Sequence, residues 1–390
     1  MSLIVQKYGG TSVGSTERIN DVAKRILETQ RAGNQVVAVV SAMAGVTNRL
    51  IEMANEVSPV HEPTDREMDV LLATGEQTTI ALTSMAINAI GGKAISLTGA
   101  QAGIVTDGDH TRAKISNITP DEVHRLLDEN HIVILAGFQG RSPDGRVTTF
   151  GRGGSDLTAI AMASAIDADL CQILTDVDGV YTCDPRVVPE ARKINEISYD
   201  EMLEMASSGS KVMQSRSVEF AKKFGVKFEV RSSLNENPGT IVTEEHPNME
   251  SVVVRGVSIE REQAKVTIEN VSDEPGVAAK IFHAISDSGV VIDMIVQNVS
   301  ADGQATDMTF TVAKADLERT KVILQEKKAE LGYEDLIAKD GVVKISIIGV
   351  GMRSHANVAA RMFKALASEN INLRMISTTE IKISIVIETK

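Results

Sequence analysis

Short apolar runs alternate with longer amphipathic stretches over the first 232 residues of the chain. Two stretches show helical spacing: Asp21–Gln30, through Val22 and Ile26, and the more apolar Glu76–Ile90, which suits burial. The apolar runs have the length of buried strands, and they lie at Leu3–Gln6, Val36–Ser41, Ala94–Leu97, Ile132–Ala136, Gln172–Leu174 and Lys227–Val230. This alternation predicts an α/β fold, a mostly parallel sheet sandwiched by helices.

A hairpin is predicted within SPDGRVTTF, Ser142–Phe150, where Pro143, Asp144 and Gly145 separate two extended stretches. We expect this hairpin to lie beside the main sheet. It leads directly into the sequence GRGGSD.

The composition changes after Arg231, where SSLNENPGT and TEEHPNME combine Asn, Pro, Gly and acidic residues, a mixture typical of a linker. Beyond it the chain contains an internal repeat with an offset of about 80 residues. Lys265–Val271 corresponds to Lys344–Val350, and Val277–Ile285 corresponds to Val358–Leu366. Each copy has the order strand, loop, helix, strand. We therefore predict one domain over residues 1–240 and a pair of small α+β modules over residues 251–390.

Composition and charge exclude several classes of protein. With 43% apolar and 24% charged residues and no apolar run of about 18 residues, the sequence predicts a folded protein that does not span a membrane. Its two cysteines, Cys171 and Cys183, form no CxxC pair, so we expect a reducing cytoplasm and no zinc site. The net charge of −13 and 3% aromatic residues argue against nucleic-acid binding. An anionic substrate would need a local basic pocket.

The segment KYGGTSVG, Lys7–Gly14, places two glycines and several hydroxyl groups between the first predicted strand and a helix. There, backbone N–H groups and the helix dipole can hold phosphate oxygens, and Lys7 adds a positive charge. The GxxxxGK[ST] spacing of a Walker A loop is absent. Taken alone, the glycine pair could equally form a tight turn.

A second glycine-rich segment, GRGGSD, carries Arg152 among three glycines and places Ser155 and Asp156 before the apolar run LTAIAMASAI. A guanidinium flanked by glycines can bind a substrate carboxylate through two parallel hydrogen bonds. Ser155 and Asp156 could instead cap the following helix, a role worth about 1 kcal/mol.

Two further segments could contact a nucleotide. TDVDGVYTCDPR, Thr175–Arg186, follows a predicted strand and combines three Asp residues with a Gly, a Tyr and an Arg, although an Asp-rich turn has the same composition. GSKVM, Gly209–Met213, carries Lys211, which could reach a β- or γ-phosphate or simply lie on the surface.

Together these segments resemble the amino-acid kinase family, and within it the aspartate kinases. The shared motifs occur here in the order that the family uses, namely KYGGTSV, SAMAGVTN, TGEQ, GFQG, GRGGSD, TDVDGVYTCDPR and GSKV. The resemblance implies the amino-acid kinase fold and ATP-dependent phosphorylation of the L-aspartate β-carboxylate to 4-phospho-L-aspartate. It also implies the first step of lysine, threonine and methionine biosynthesis.

The resemblance further implies roles for particular residues. Lys7 would neutralise charge on the transferring phosphoryl group, Asp156 would orient the catalytic lysines, and Arg152 would hold the α-carboxylate of aspartate. Glu76 would bind the aspartate ammonium group, and Mg²⁺ would arrive with ATP. The other residues implied for the aspartate pocket are Ser41, Thr47, Gly153, Gly154 and Ser155. Those implied for the nucleotide are Lys7, Tyr8, Gly9, Gly10, Ser12, Thr175, Asp176, Tyr181, Arg186, Lys211 and Val212.

The C-terminal repeat resembles tandem ACT domains, the first over about residues 263–340 and the second over about 341–390 with a strand from 251–262. The resemblance implies that lysine and/or threonine bind as effectors through Asp273, Gln297 and Asn298, and that a homo-oligomer assembles through these domains. Asp273 could instead be a helix N-cap, and the repeat could be a plain oligomerisation unit. In the family, a further helix follows the position of Lys390.

Two alternatives stay open at this point. Another amino-acid kinase, such as an acetylglutamate or carbamate kinase, would share the nucleotide site, but the tandem ACT-like repeat argues against it. A catalytically silent amino-acid sensor would retain the same scaffold. The presence of Lys7, Arg152 and Asp156 argues against that second alternative.

Overall fold

A computed structural model describes residues 1–58, 64–209, 212–246, 249, 252–299, 305–355 and 357–389 of the chain. The residues form two compact units. One comprises Met1–Ser207 and Lys211–Met249, and the other comprises Ser208–Ser210 and Glu250–Lys390. In these described ranges, no helix combines the length and the apolar character that a membrane span requires.

Two sheets form the framework of the first unit. Its strands are β1 (Leu3–Tyr8), β2 (Gln35–Val40), β3 (Ala94–Leu97), β4 (Ile104–Thr106), β5 (Ile115–Ile118), β6 (Ile132–Ala136), β7 (Gln139–Arg141), β8 (Val147–Thr149), β9 (Leu170–Thr175), β10 (Glu196–Ser198), β11 (Phe228–Ser232) and β12 (Thr240–Thr243). The main sheet has the order β10-β12-β11-β9-β1-β2-β6-β3. Its described pairs are parallel except for β11 with β12. The prediction of a mostly parallel α/β sheet is confirmed.

Helices cover this sheet, which is why its central strands are continuously apolar. They are α1 (Thr16–Arg31), α2 (Val46–Val57), α3 (Asp65–Ala89), α4 (Asp121–Asp128), α5 (Gly154–Ala165), α6 (Tyr199–Ser207) and α7 (Ser215–Phe224). On α1, Ile19 and Ile26 join Ile80 and Ile87 of α3 in one core against the sheet. Ser15 caps α1 by accepting a hydrogen bond from the backbone N–H of Arg18 at 3.2 Å.

A smaller sheet with the order β5-β4-β7-β8 carries the predicted hairpin. β7 and β8 are antiparallel, with Gln139 opposite Thr149 and Arg141 opposite Val147, so this prediction is confirmed. β8 ends at Thr149 and leads through Phe150 into α5. The connection between them contains the second glycine loop, defined here as residues 151–154.

The second unit contains one antiparallel sheet. Its elements are β13 (Gly256–Ser272), α8 (Val277–Ser286), β14 (Ile292–Val299), β15 (Ala305–Ala313), α9 (Leu317–Glu326), α10 (Lys328–Leu331), β16 (Asp335–Ile348), α11 (Val358–Ser368), β17 (Leu373–Thr378) and β18 (Lys382–Glu388). The strand order is β14-β15-β13-β16-β18-β17. The long strand β13 belongs to both repeats, since it pairs with β16 from Gly256 onward and with β15 from Gln263 onward.

The two repeats are covered differently. In the first, α8 and α9 supply Ile281, Ile285 and Leu324 to a core around Phe310. In the second, the described residues 341–389 contain one α-helix, α11. It packs over Ile347 and Ile383. Further along the same sheet, Ile345 and Ile387 line an open cavity.

Candidate active site

An ion pair joins the two glycine-rich segments in the first unit. Lys7 lies near the end of β1, a central strand, and its Nζ is 2.6 Å from Oδ1 of Asp156 on α5. Both side chains are 11% exposed. The contact is an ion pair, and Oδ1 of Asp156 has no hydrogen-bond partner among the described residues. The fold thus places a cation beside the first glycine loop, defined here as residues 9–14.

Asp156 is available to Lys7 because another residue caps α5. The N-cap is Gly153, whose φ of 70° lies in the left-handed region, and no side chain caps this helix. A Cβ at Gly153 would also lie 2.4 Å from the side chain of Gln214. The interpretation of Asp156 as a helix cap is therefore wrong.

The first glycine loop is packed tightly against its neighbours. A Cβ on Gly10 would lie 2.9 Å from the carbonyl oxygen of Ala42, so only glycine fits there without a shift. The N–H of Gly9 donates to the carbonyl of Leu174 at the end of β9. Tyr8, which the resemblance placed at the nucleotide, has a fully buried side chain that donates to Gln6. Its ring therefore cannot contact a nucleotide in this arrangement.

Ser233 connects three segments of the site, and sequence reasoning missed it. Its Oγ lies 2.7 Å from Oγ of Ser12, and it donates to the carbonyl oxygen of Thr175 at 3.1 Å. The residue lies in SSLNENPGT, which we interpreted as a linker. The one local signal was its position directly after strand β11, beside the carboxyl end of β9.

Glu76 on α3 is a buried carboxylate with an unfilled acceptor. Its Oε1 accepts a hydrogen bond from the backbone N–H of Ala42 at 2.9 Å, whereas Oε2 has no hydrogen-bond partner among the described residues. Burial raises the pKa of Glu76 to about 7, and the Ala42 N–H opposes this only in part. Ser41 lies on the same connection as Ala42, after β2, and Thr47 lies in the first turn of α2, which follows it. A cation at this point would stabilise the ionised form of Glu76.

Arg152 is exposed on the second glycine loop. In the part of the chain that the structure describes, it forms no hydrogen bond or ion pair. Gly151 and Gly153 on either side have φ values of 73° and 70°. Gly154 and Ser155 are buried at the start of α5, and a Cβ on Gly137 would lie 2.6 Å from Oγ of Ser155. The guanidinium is therefore free to bind an anion.

Several polar and charged side chains of the Asp-rich segment after β9 pair with each other. Tyr181 donates to Asp178 at 2.8 Å, a hydrogen bond that raises the pKa of Tyr181. Arg186 pairs with Asp184 at 2.8 Å and is largely exposed. The hydroxyl of Thr175 donates to Asp176 at 3.1 Å. Val212 is half-buried, and Lys211 lies outside the described residues.

The predicted effector residues of the second unit are all exposed, with Asp273 in the connection between β13 and α8 and the other two on β14. Asp273 precedes α8, but the N-cap of α8 is Gly276, so the interpretation of Asp273 as a cap is wrong. Gln297 and Asn298 are consecutive on β14, which places their side chains on opposite faces of the sheet. The resemblance implied both as effector contacts, and within one chain their side chains point to different sides of the sheet.

Comparisons with known proteins cover the whole chain. The sequence matches the model of the amino acid kinase family over residues 2–232 and that of an ACT domain over residues 266–327 and 345–390. It is 53% identical over 392 aligned residues to the aspartokinase of Pseudomonas aeruginosa, covering all of this chain and 94% of that protein.

Solved structures give similar matches. The aspartate kinase from Synechocystis is 44% identical with a TM-score of 0.57, over 99% of this chain and 67% of that one. Aspartokinase III of E. coli, solved in complex with aspartate and ADP, is 24% identical with a TM-score of 0.82, over 99% and 96%. This second likeness shows a shared fold.

Proposed function

The chain belongs to the amino acid kinase family and, within it, to the aspartokinases, and we propose that it transfers the γ-phosphoryl group of ATP to the β-carboxylate of L-aspartate. The observation that carries this proposal is the buried ion pair of Lys7 and Asp156 between two glycine loops. The product would be 4-phospho-L-aspartate.

The chemistry of the acceptor explains why no general base is required. An aspartate side chain has a pKa of about 3.9 and is already ionised at pH 7. Phosphoryl transfer then requires positioning and neutralisation of charge on the transferring group. Lys7 supplies the charge, and Asp156 holds its ammonium group at the end of β1.

The nucleotide would lie against the first glycine loop and the carboxyl end of β9. Because Gly9 and Gly10 carry no side chains, a phosphate oxygen could approach the backbone of this loop closely. The Ser12–Ser233–Thr175 connection fixes the loop. ATP is a substrate that brings Mg²⁺ on its phosphates, and the metal adds further neutralising charge. The other residues proposed for the nucleotide are Lys7, Asp176, Tyr181, Arg186, Lys211 and Val212.

Aspartate would be held at both charged groups on its Cα. Arg152, exposed and unpaired in the described part of the chain, would bind the α-carboxylate through two parallel hydrogen bonds. Glu76 would bind the ammonium group, which supplies the cation that its buried carboxylate lacks. The remaining pocket residues would be Ser41, Thr47, Gly153, Gly154 and Ser155.

The test of this proposal is acceptor-dependent ATP consumption by the full chain. The assay would supply L-aspartate, L-glutamate, N-acetylglutamate or no acceptor, and would trap any acyl phosphate with hydroxylamine. We expect hydroxamate from aspartate alone. Hydroxamate from N-acetylglutamate instead would support another amino-acid kinase, and binding of aspartate without turnover would support a silent sensor.

We further propose that the second unit regulates this activity as a pair of ACT domains that bind lysine and/or threonine. Asp273 lies before α8, where backbone N–H groups can receive an effector carboxylate. Gln297 and Asn298 would contribute from β14, one from each face. The enzyme would act in the cytoplasm at the start of lysine, threonine and methionine synthesis, as a homo-oligomer joined through these domains.

Titration of the activity with lysine, threonine and both together tests the regulatory proposal. We expect inhibition by at least one combination, and a loss of inhibition in Asp273→Ala at unchanged basal activity. Full activity under all three conditions would contradict it. Sedimentation analysis of the same samples would show whether the chain is an oligomer.

A further inference from the structure

A second buried carboxylate lies on α3, and the proposed chemistry does not use it. Asp69 is completely buried, and its Oδ1 accepts hydrogen bonds from the backbone N–H of Thr111 at 3.0 Å and from Oγ1 of Thr149 at 2.5 Å. Nδ1 of His110 lies 2.6 Å from its other oxygen. A buried carboxylate with three such neighbours favours the one arrangement that keeps all of them, because each hydrogen bond lost at a buried site costs free energy.

Thr111, one of these partners, has a strained backbone. Its φ is 65°, a left-handed value that costs a β-branched residue about 1–3 kcal/mol. Such strain persists only where the surrounding structure fixes it, and here Asp69 accepts the N–H of Thr111. The carbonyl oxygen of Thr111 lies 3.1 Å from the point where Gly151 would carry a Cβ. The strained residue therefore abuts the first residue of the second glycine loop.

A second set of contacts connects Asp69 to the same loop. Thr149, which donates to Asp69, ends strand β8 two residues before Gly151, and its carbonyl accepts from the N–H of Ala113 at 3.0 Å. Arg216 donates to the carbonyl oxygens of Ala113 at 2.6 Å and Phe150 at 3.1 Å. The segment around Thr111 and the end of β8 thus form one fixed support from which the second glycine loop emerges.

The same helix also carries Glu76. Glu76 lies seven positions after Asp69, which is about two helical turns, so the two residues lie on one face of α3, roughly 10 Å apart along its axis. We infer that Asp69 is a positioning residue that holds the second glycine loop, and with it Arg152, at a fixed place relative to Glu76. The inference rests on the proposed function, in which these two residues bind the α-carboxylate and the ammonium group. Its consequence is selectivity for an acceptor with a free α-amino acid group.

The decisive variant is Asp69→Asn in the full chain. Asn keeps the shape but turns an NH₂ group toward donors, so we expect the KM for aspartate to rise about tenfold while the KM for ATP changes less than about twofold. The amides of Ala113 and Gly154, which donate to the carbonyls of Thr149 and Gly151, should also exchange with deuterium about tenfold faster. Asp107→Asn is the matched control, because Asp107 accepts from Lys114 within the same connection but does not reach α3. The control should leave both measurements unchanged.

A gentler pair of variants keeps the test valid if Asp69→Asn folds poorly. Thr149→Val removes only the hydroxyl that donates to Asp69, and we expect the same shifts at about threefold. Thr149→Ser keeps that hydroxyl and should behave as wild type. An unchanged ratio of the two KM values in Thr149→Val, or unchanged exchange at the amides of Ala113 and Gly154, would overturn the inference. If the wild type made no hydroxamate from aspartate, the proposed function would fail, and the exchange data would still decide the role of Asp69.

Discussion

The two units each contain a buried lysine, and the two lysines differ in the number of carboxylates that they contact. Among the described residues, Lys7 contacts one carboxylate, that of Asp156, at 2.6 Å. Lys344, in the second sheet, is 4% exposed at its side chain and contacts two carboxylates, Glu260 at 2.8 Å and Asp293. Burial lowers the pKa of Lys344, but these two carboxylates outweigh burial and raise it overall.

The difference lies in what each ammonium group can still do. An ammonium group has three N–H donors, so Lys7 can contact an incoming phosphate oxygen without losing Asp156. Lys344 carries two negative partners already, and a further anion near it would be repelled. Burial of a lysine is thus common to both units, whereas N–H donors left for a further anion, beside glycine backbone, distinguish the candidate active site.

The largest effect should come from Lys7→Ala. Removing the charge that stabilises the transferring phosphoryl group should lower kcat about 100- to 1,000-fold with little change in the far-UV spectrum. Lys24→Ala, which removes an exposed lysine of α1, is the control and should retain full turnover. Near-normal kcat in Lys7→Ala would show that Lys7, like Lys344, has no role in turnover.

Glu76→Gln tests the converse case, a buried carboxylate without a cation. The folded-state pKa of about 7 exceeds the ordinary 4.5, so folded protein holds a proton that the unfolded chain loses in this window. Stability therefore falls as pH rises from 4.5 to 7 and stays reduced above it. At pH 8 Glu76→Gln should be more stable than wild type by up to roughly 3 kcal/mol in urea unfolding, and equal below about pH 4.

Glu76→Gln should also change how the KM for aspartate depends on pH. In the wild type, the KM for aspartate should fall as pH rises through about 7, because the ionised carboxylate binds the ammonium group. In Glu76→Gln it should be higher and flat across that range. A pH profile identical to that of the wild type would contradict the proposed ammonium site.

Arg152→Ala should affect the acceptor alone. Losing a charge-assisted pair of hydrogen bonds should lower kcat/KM for aspartate about 10- to 100-fold. Because Arg152 is exposed, the thermal midpoint should not move. Arg141→Ala, an exposed arginine on β7, is the control for nonspecific loss of charge. Unchanged aspartate kinetics in Arg152→Ala would show that its guanidinium does not bind the α-carboxylate.

Lys344→Met should give the smallest effect, and the effect should appear in stability and not in turnover. It leaves Glu260 and Asp293 without their cation, but both are partly exposed, so unfolding free energy should fall by only about 1–2 kcal/mol. Turnover without effectors should stay within about twofold of wild type. A large loss of kcat would break the distinction between a structural and a functional buried lysine.

The sequence by itself determined the main sheet and the location of the glycine loops. Parallel strands covered on both faces need continuous apolar runs, and Ile132–Ala136 is such a run, fully buried as expected. Pro143 to Gly145 predicted the hairpin because turn residues act locally. The motif positions of Lys7 and Arg152 were readable for the same reason, since glycine flanks are visible in the chain itself.

The tertiary structure alone decided which partners these residues have. The residues alone left Asp156 as a possible cap, and the resemblance implied that it orients the catalytic lysines. The packing of α5 against β1 decided between the two by placing Asp156 against Lys7. Ser233 looked like part of a linker, and Asp69 drew no notice on α3. Their contacts join residues far apart in sequence, and such contacts depend on how helices and strands pack. Local patterns record the face that a residue buries, whereas the group it meets there is set by the whole fold.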